Sequence, residues 1–150
     1  MRLVIVTGMS GAGKSTALKM LEDARYFCVD NLPIALVGKF VSLMATSQDE
    51  EVQNAAIGID ARSGRALEEL EVVLDRLKAE GHTFEILFLD ADDKVLVKRY
   101  KESRRSHPLA MTGRVDDGIR LERKKTEFLR NRADYRYNTS ADQRTEEGTE

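Results

Sequence analysis

Cysteine is nearly absent from this 150-residue chain, and its single copy, Cys28, excludes an internal disulfide bond. The sequence contains neither a CxxC pair nor a cysteine and histidine spacing typical of a zinc site. Long hydrophobic runs are missing as well. The first apolar run, LVIV at residues 3–6, is far too short to cross a bilayer, and no basic segment precedes it. We therefore expect a protein of the reducing cytoplasm with no membrane partner.

Excess charge of one sign is also lacking, because the formal net charge is only −2. This value argues against binding a nucleic acid or an anionic membrane through overall charge. The charges are unevenly distributed, however: residues 94–136 contain 14 Lys and Arg against 6 Asp and Glu, a local surplus of +8. Such a segment is either the solvated face of helices or a surface that contacts phosphate, and composition leaves both interpretations open.

A hydrophobic content of 41% is enough for one domain with a core. Apolar residues at helical spacing separate short apolar runs, and a further helix is predicted at about residues 115–132. Strands alternating with helices predict an α/β fold of three layers, with helices on both faces of a mainly parallel sheet. The runs that predict buried strands lie at residues 3–6, 26–29, 55–59 and 84–89.

The C-terminal end has a different composition. From Asn138 the sequence NTSADQRTEEGTE contains one apolar residue, Ala141. Such a segment cannot bury enough apolar surface to offset the entropy that is lost on ordering. We therefore predict a folded domain at residues 1–137 and a disordered polar tail at residues 138–150.

Residues Gly8–Ser15, GMSGAGKS, match the P-loop or Walker A pattern GxxxxGK[ST] between a predicted strand and a predicted helix. Glycines let the main chain wrap around a phosphate, and the helix that follows adds the positive end of its dipole. Lys14 is predicted to contact the β- and γ-phosphates, and Ser15 to bind Mg²⁺ through its hydroxyl. The pattern predicts a nucleoside triphosphate, bound by Gly8, Met9, Ser10, Gly11, Ala12, Gly13, Lys14, Ser15 and Thr16.

A second magnesium ligand is expected among the carboxylates that follow neighbouring strands, since parallel α/β sheets bind ligands at the carboxyl ends of their strands. Asp60 is the favoured candidate, because Arg62 follows two residues later toward the same edge. Asp90 is predicted to be a helix N-terminal residue, since the acidic residues of ADD follow it directly. Asp30 either caps the turn before Pro33 or contacts a substrate, and both alternatives stay open.

Arginines gather in the segment KRYKESRRSHPL, residues 98–109. Arg99, Arg104 and Arg105 could hold phosphate oxygens through paired hydrogen bonds and close over them as a lid. The alternative is an exposed basic end of a helix that complements the helix dipole. The residues predicted to act in catalysis are Lys14, Asp60, Arg99, Arg104 and Arg105, and His107 receives no proton-transfer role.

Five segments together resemble the YvcJ/RapZ family of P-loop nucleotide-binding proteins over residues 2–140. The resemblance implies an ATP- and GTP-binding domain with weak hydrolytic activity. It implies ATP at the P-loop and GTP at Asp60, Ala61, Arg62 and Ser63. More distantly, the element order is similar to adenylate kinase, which implies lid arginines at Arg99, Arg104 and Arg105. The five segments are GMSGAGKS, YFCVDNLP, IDARS, LFLDA and RYKESRRSHPL.

Members of that family are normally longer, and a second half binds small RNA and an amino-sugar phosphate in the enterobacterial branch. That half is missing here, which weakens the expectation of RNA adapter activity. We expect an N-terminal domain whose partner is a regulatory protein or a small RNA. No aromatic residues interleave with the basic window to stack on RNA bases. Three functions stay open: a regulatory nucleotide-binding domain with slow Mg²⁺-dependent hydrolysis, a small-molecule or nucleoside monophosphate kinase, and an RNA-binding module that acts through the basic window. The oligomeric state is also open.

Overall fold

A computed structural model describes residues 2–9, 11–46, 54–59, 64–103 and 115–140. Five strands and six helices lie in these ranges. The strands are β1 Arg2–Gly8, β2 Phe27–Val29, β3 Asn54–Gly58, β4 Glu85–Asp90 and β5 Tyr135–Asn138. The helices are α1 Lys14–Asp23, α2 Ile34–Thr46, α3 Gly64–Ala79, α4 Asp93–Ser103, α5 Val115–Lys125 and α6 Glu127–Arg132.

The strands form one sheet in the order β2-β3-β1-β4-β5, and every pair of neighbours is parallel. Parallel neighbours require crossover connections, and the helices between successive strands supply them. This arrangement confirms the predicted α/β fold. The four predicted strands are present, with ends that differ by one or two residues from the prediction.

The register of the sheet assigns its side chains to two faces. Val6 pairs with Gly58 on β3 and with Leu87 on β4, so these three residues share one face. Helix α1 packs on that face, because a Cβ atom on Gly58 would lie 2.7 Å from a methyl group of Leu18. Phe88 therefore points to the opposite face, where α6 contacts β4.

Strand β2 lies at the edge of the sheet, and the prediction that it is buried on both faces was wrong. Phe27 is 50% exposed, and Cys28 and Val29 are only partly buried. An edge strand has one strand neighbour, here β3, so its side chains have fewer packing partners. Phe27 instead stacks on Phe40 of α2, with ring centroids 6.3 Å apart.

The helix predicted at residues 115–132 is two helices, α5 and α6, that meet at Thr126. The hydroxyl of Thr126 donates to the carbonyl of Glu122 at 2.8 Å and lies 3.7 Å from the sulfur of Met9. A threonine hydroxyl that bonds the carbonyl four residues back favours bending of a helix. Helix α6, which follows Thr126, contacts β4.

Residues 138–140, which were predicted to begin the tail, belong to the packed unit. Asn138 completes β5 opposite Asp90, and Thr139 is only 8% exposed. The hydroxyl of Ser140 accepts a hydrogen bond from the amide of Asp92 at 2.6 Å. Main-chain pairing and hydroxyl hydrogen bonds order this segment without apolar side chains. Its polar composition therefore predicted disorder where the structure shows packing. Residues 141–150 lie outside the described ranges.

Buried apolar residues of β1, β3 and β4 form the centre of the core. Leu3, Ile5, Ile57 and Phe88 are each at most 1% exposed.

Among the helices that the structure describes, none combines the length and the apolar character needed to cross a membrane.

Candidate functional site

The phosphate loop, residues 8–16, joins the end of β1 to the first turn of α1. Its glycines adopt positive φ angles of 151° at Gly8, 84° at Gly11 and 97° at Gly13. A Cβ atom on Gly8 would lie 2.2 Å from the carbonyl oxygen of Leu89, so the end of β1 passes directly against β4. Only glycine fits this close approach, and positive φ angles strain other residues.

Two main-chain hydrogen bonds fix the loop, one to β4 and one within the loop. The amide of Met9 donates to the carbonyl of Leu89 and the amide of Ala12 donates to the carbonyl of Met9, both at 3.0 Å. Helix α1 begins at Lys14, and its N-cap residue Gly13 provides no side-chain cap. The first-turn amides of a helix have no intrahelical acceptor, and the positive end of the dipole lies there. This geometry suits an anion.

Lys14 lies at the start of α1 beside two polar side chains that follow β2. Its ammonium is 3.2 Å from Oδ1 of Asp30 and 3.3 Å from Oδ1 of Asn31. Oδ1 of Asp30 also accepts from the amide of Asn31 at 2.8 Å, so Asp30 both closes the turn and holds the lysine. Sequence reasoning left the role of Asp30 open and missed this ion pair.

Asp30 also lies against the end of β3. A Cβ atom on Gly58 would be 2.6 Å from Oδ1 of Asp30, so a larger residue there would force the carboxylate to shift. The carboxylate of Asp30 and the ammonium of Lys14 therefore lie where three elements meet: the ends of β2 and β3 and the start of α1. Ser15 and Thr16, which were predicted to contact the ligand, are exposed beside them.

Arg99 on α4 holds the phosphate loop from its other side. Its Nη1 donates to the carbonyl of Gly11 at 2.8 Å and to the hydroxyl of Thr139 at 3.1 Å, and its Nη2 donates to the carbonyl of Thr139 at 3.1 Å. From the sequence, two roles were open for Arg99, in a lid over phosphate oxygens or at an exposed basic helix end. The structure instead shows its guanidinium joining the loop to the segment that follows β5.

Thr139 completes this connection, and sequence reasoning missed it. Its hydroxyl donates to the carbonyl of Ala12 at 3.0 Å, and its amide donates to the carbonyl of Asp90 at 2.8 Å. Sequence periodicity does not reveal such a residue. Thr139 bonds main-chain carbonyls of residues that lie far from it in the sequence, Ala12 and Asp90. We refer to Arg99 and Thr139 as the loop latch.

Helix α4 also packs beneath the loop through apolar atoms. A Cβ atom on Gly11 would lie 3.4 Å from the ring of Tyr100 and 3.8 Å from a methyl group of Leu96. Both side chains are buried, at 9% and 0% exposure. The loop therefore lies on buried apolar side chains, and such packing favours a preorganised anion site.

Asp90 is the last residue of β4, and the prediction that it starts a helix was wrong, since α4 begins three residues later at Asp93. Its carboxylate accepts two hydrogen bonds from Nη1 of Arg123, at 2.8 and 3.0 Å. Arg123 also donates to Asp93 at 2.6 Å. Burial lowers the pKa of Arg123, but hydrogen bonds from its guanidinium to Asp93 and Asp90 outweigh that effect and raise it above its ordinary value. Sequence reasoning placed Arg123 only in the basic window.

Several predicted site residues lie outside the described ranges. The grouping of Asp60 with Ser15 at a magnesium ion, and the lid role of the two arginines, therefore stay predictions. Within the described residues, no cluster of three or more His, Cys, Asp or Glu side chains could hold a metal ion. The residues outside these ranges are Ser10, Asp60, Ala61, Arg62, Ser63, Arg104, Arg105 and His107.

Comparison with known proteins decides the family. A model of the RapZ-like N-terminal domain matches residues 1–147. The chain belongs to the RapZ-like family. A protein of Lachnoclostridium phytofermentans named nucleotide-binding protein is 61% identical over 140 residues, which cover 93% of this chain and 49% of that protein. This RapZ-like chain spans about half the length of the curated relatives it matches.

Solved structures of small-molecule kinases share the fold of the RapZ-like chain. Shikimate kinase from Bacteroides thetaiotaomicron matches with a TM-score of 0.58 and 18% identity, covering 91% of this chain and 86% of that one. A gluconokinase from Sinorhizobium meliloti matches with a TM-score of 0.58 and 14% identity, covering 91% and 82%. These likenesses show a P-loop kinase-like fold and confirm the predicted fold class.

Proposed function

We propose that this RapZ-like domain binds a nucleoside triphosphate with Mg²⁺ at the phosphate loop. The observation that carries the proposal is a glycine loop with positive φ angles that leads into the uncapped N-terminus of α1, with Lys14 beside it. Main-chain amides at a helix N-terminus are a ready site for phosphate. The printed names of the related proteins, which are nucleotide-binding proteins, support the same ligand.

Each group of the site has a distinct task in this proposal. The loop amides hold the β-phosphate, and the ammonium of Lys14 leaves Asp30 to contact the β- and γ-phosphates. The exposed hydroxyl of Ser15 suits Mg²⁺, an ion that prefers oxygen ligands and keeps several waters. Asp60 would complete the magnesium site, through a water molecule. Mg²⁺ itself would neutralise charge on the phosphate oxygens.

We further propose that hydrolysis is slow and serves regulation. Water would attack the γ-phosphate in line, and Lys14 would stabilise the developing charge, with Arg104 and Arg105 closing over it. The sequence supplies no dedicated glutamine or glutamate to position that water. The resemblance assigns ATP to the phosphate loop and GTP to Asp60–Ser63, and the bound state would be sensed by a regulatory protein or a small RNA.

Calorimetric titration with ATP and with GTP, with and without Mg²⁺, tests the proposal. Saturable binding of at least one nucleotide, weakened when Mg²⁺ is removed, is the expected result, because the metal neutralises phosphate charge that the loop must otherwise bear alone. Heats no larger than those of dilution for both nucleotides, with Mg²⁺ present, would exclude nucleotide binding by this domain.

A second candidate function is a small-molecule kinase. The observation that favours it is Asp30, a carboxylate held beside Lys14 at the edge where a phosphoryl acceptor would lie. The kinase-like fold is compatible with it but does not establish it. Single-turnover assays with a panel of acceptors separate the two functions, because ATP consumed only when one acceptor is present indicates a kinase.

A further inference from the structure

Two adjoining cavities lie between β4, β5 and the helices α5 and α6. Their volumes are about 240 Å³ and about 190 Å³, and Phe88 and Arg130 line both of them. Phe88 pairs with Arg136 and Asp90 pairs with Asn138, so these four residues share one face of the sheet. We refer to the two cavities together as the β4–β5 cleft. It lies on the face opposite α1.

The cleft carries surplus positive charge. Its cations are Arg123, Lys124, Arg130 and Arg136, and its anions are Asp90 and Glu127. Arg123 uses its hydrogen bonds on Asp90, Asp93 and the carbonyl of Ala91, so it neutralises Asp90 within the protein. Of the remaining cations, Lys124 lines one cavity together with Glu127, Arg136 lines the other, and Arg130 lines both.

These three cations are available to a ligand. Arg130 is 48% exposed and approaches Asp90 only at 3.9 Å, too far for a hydrogen bond. Among the ion pairs between described residues, none involves Lys124 or Arg136. Two guanidinium groups and an ammonium that line one cleft without strong protein partners are suited to an anion with several acceptor oxygens.

We propose that the β4–β5 cleft binds a small phosphate monoester. A phosphate offers three acceptor oxygens and nearly two negative charges, so it can accept from both Arg130 and Arg136, whereas a carboxylate offers two oxygens and one charge. Each cavity is far larger than the volume of one water, about 30 Å³. Each is also smaller than the roughly 300–1,000 Å³ of pockets that enclose drug-sized ligands. A phosphate with a short organic group fits this range.

The cleft is separate from the phosphate loop, although the two are neighbours. Lys14 and the first turn of α1 lie on the other face of the sheet, and neither lines the cleft. Met9, the residue after Gly8, lines one cavity and is the only described loop residue that does so. The cations that would hold a phosphate in the cleft are therefore different from the residues of the phosphate loop.

Phenyl phosphate is the probe that tests the proposal, titrated into the full chain and followed by ligand-observed NMR or calorimetry. Arg130→Gln is expected to weaken binding by about tenfold or more, since it removes a charged donor common to both cavities. Arg136→Gln and Lys124→Gln each affect one cavity and should show which of them holds the phosphate. Arg130→Lys, which keeps the charge but loses the fork, should restore part of the affinity.

Three controls decide the outcome. Arg120→Gln, an exposed arginine of α5 paired with Asp117, should bind the probe as the unaltered protein does, and so should Lys14→Ala. Benzoate should bind more weakly than phenyl phosphate. The proposal is overturned if the unaltered protein shows no saturable binding, if benzoate binds as tightly, if Arg130→Gln changes nothing while it remains folded, or if Lys14→Ala abolishes binding.

Discussion

Replacing Lys14 with alanine is expected to weaken nucleoside triphosphate binding by roughly tenfold to a hundredfold. Hydrogen bonds to charged groups contribute about 1.5–3 kcal/mol, and Lys14, the first residue of α1, is the one Lys or Arg among residues 8–16. The affinity of the diphosphate should fall less than that of the triphosphate, because the lysine reaches the terminal phosphates. Calorimetric titration of both nucleotides measures the difference.

The fold should survive this substitution. The ion pair between Lys14 and Asp30 is partly exposed, and such pairs contribute about 0–1 kcal/mol to the free energy of unfolding. Lys19→Ala, on the exposed surface of the same helix, is the matched control and should leave both stability and affinity unchanged. If Lys14→Ala binds the triphosphate as tightly as the unaltered protein does, Lys14 does not contact its phosphates.

Replacing Arg99 with alanine is expected to destabilise the domain and to weaken nucleotide binding together. The substitution removes the donor for the carbonyls of Gly11 and Thr139 and disconnects the loop from the segment after β5. A partly buried acceptor left unsatisfied, here the carbonyl of Thr139, costs about 1–3 kcal/mol, and the exposed bond to Gly11 adds little, so a loss of about 1–3 kcal/mol is expected. For a chain of this length that corresponds to a melting temperature lower by about 2–12 °C, measured by circular dichroism.

This substitution also separates two roles of Arg99. An arginine of a mobile lid would act in hydrolysis alone, whereas the loop latch also sets the shape of the loop before any nucleotide binds. Arg99→Lys should recover part of the stability, and Lys98→Ala, exposed on the same helix, should behave as the unaltered protein does. Normal stability and affinity with loss of hydrolysis only would assign Arg99 to the lid.

The sequence predicts most of the fold because its signals are local. Strands β1, β3 and β4 are short apolar runs buried under helices, and GMSGAGKS carries the whole loop in consecutive residues. The sequence does not predict that β2 lies at the edge of the sheet, because its residues are as apolar as those of the buried strands. The bend at Thr126 depends on one hydroxyl, which hydrophobic periodicity does not register.

The contacts that shape the site are less predictable, because they join residues far apart in sequence. Thr139 donates to the carbonyl of Ala12, and Arg123 neutralises Asp90 from 33 residues away. Polar side chains that bond main-chain carbonyls follow no spacing rule, and composition even placed Thr139 in a disordered tail. Sequence thus identifies the loop and its lysine, while the latch and the β4–β5 cleft require coordinates.

The most direct test of the nucleotide site is the ¹H–¹⁵N spectrum of the labelled protein, titrated with Mg²⁺ and a non-hydrolysable ATP analogue. The amides of Gly11, Gly13, Lys14, Ser15 and Thr16 should shift most, because bound phosphate would accept hydrogen bonds from the first turn of α1 and its approach. A contradictory result would be saturable nucleotide binding in which the chemical shifts of these amides do not change and the large changes occur elsewhere on the sheet. That result would exclude the phosphate loop as the nucleotide site.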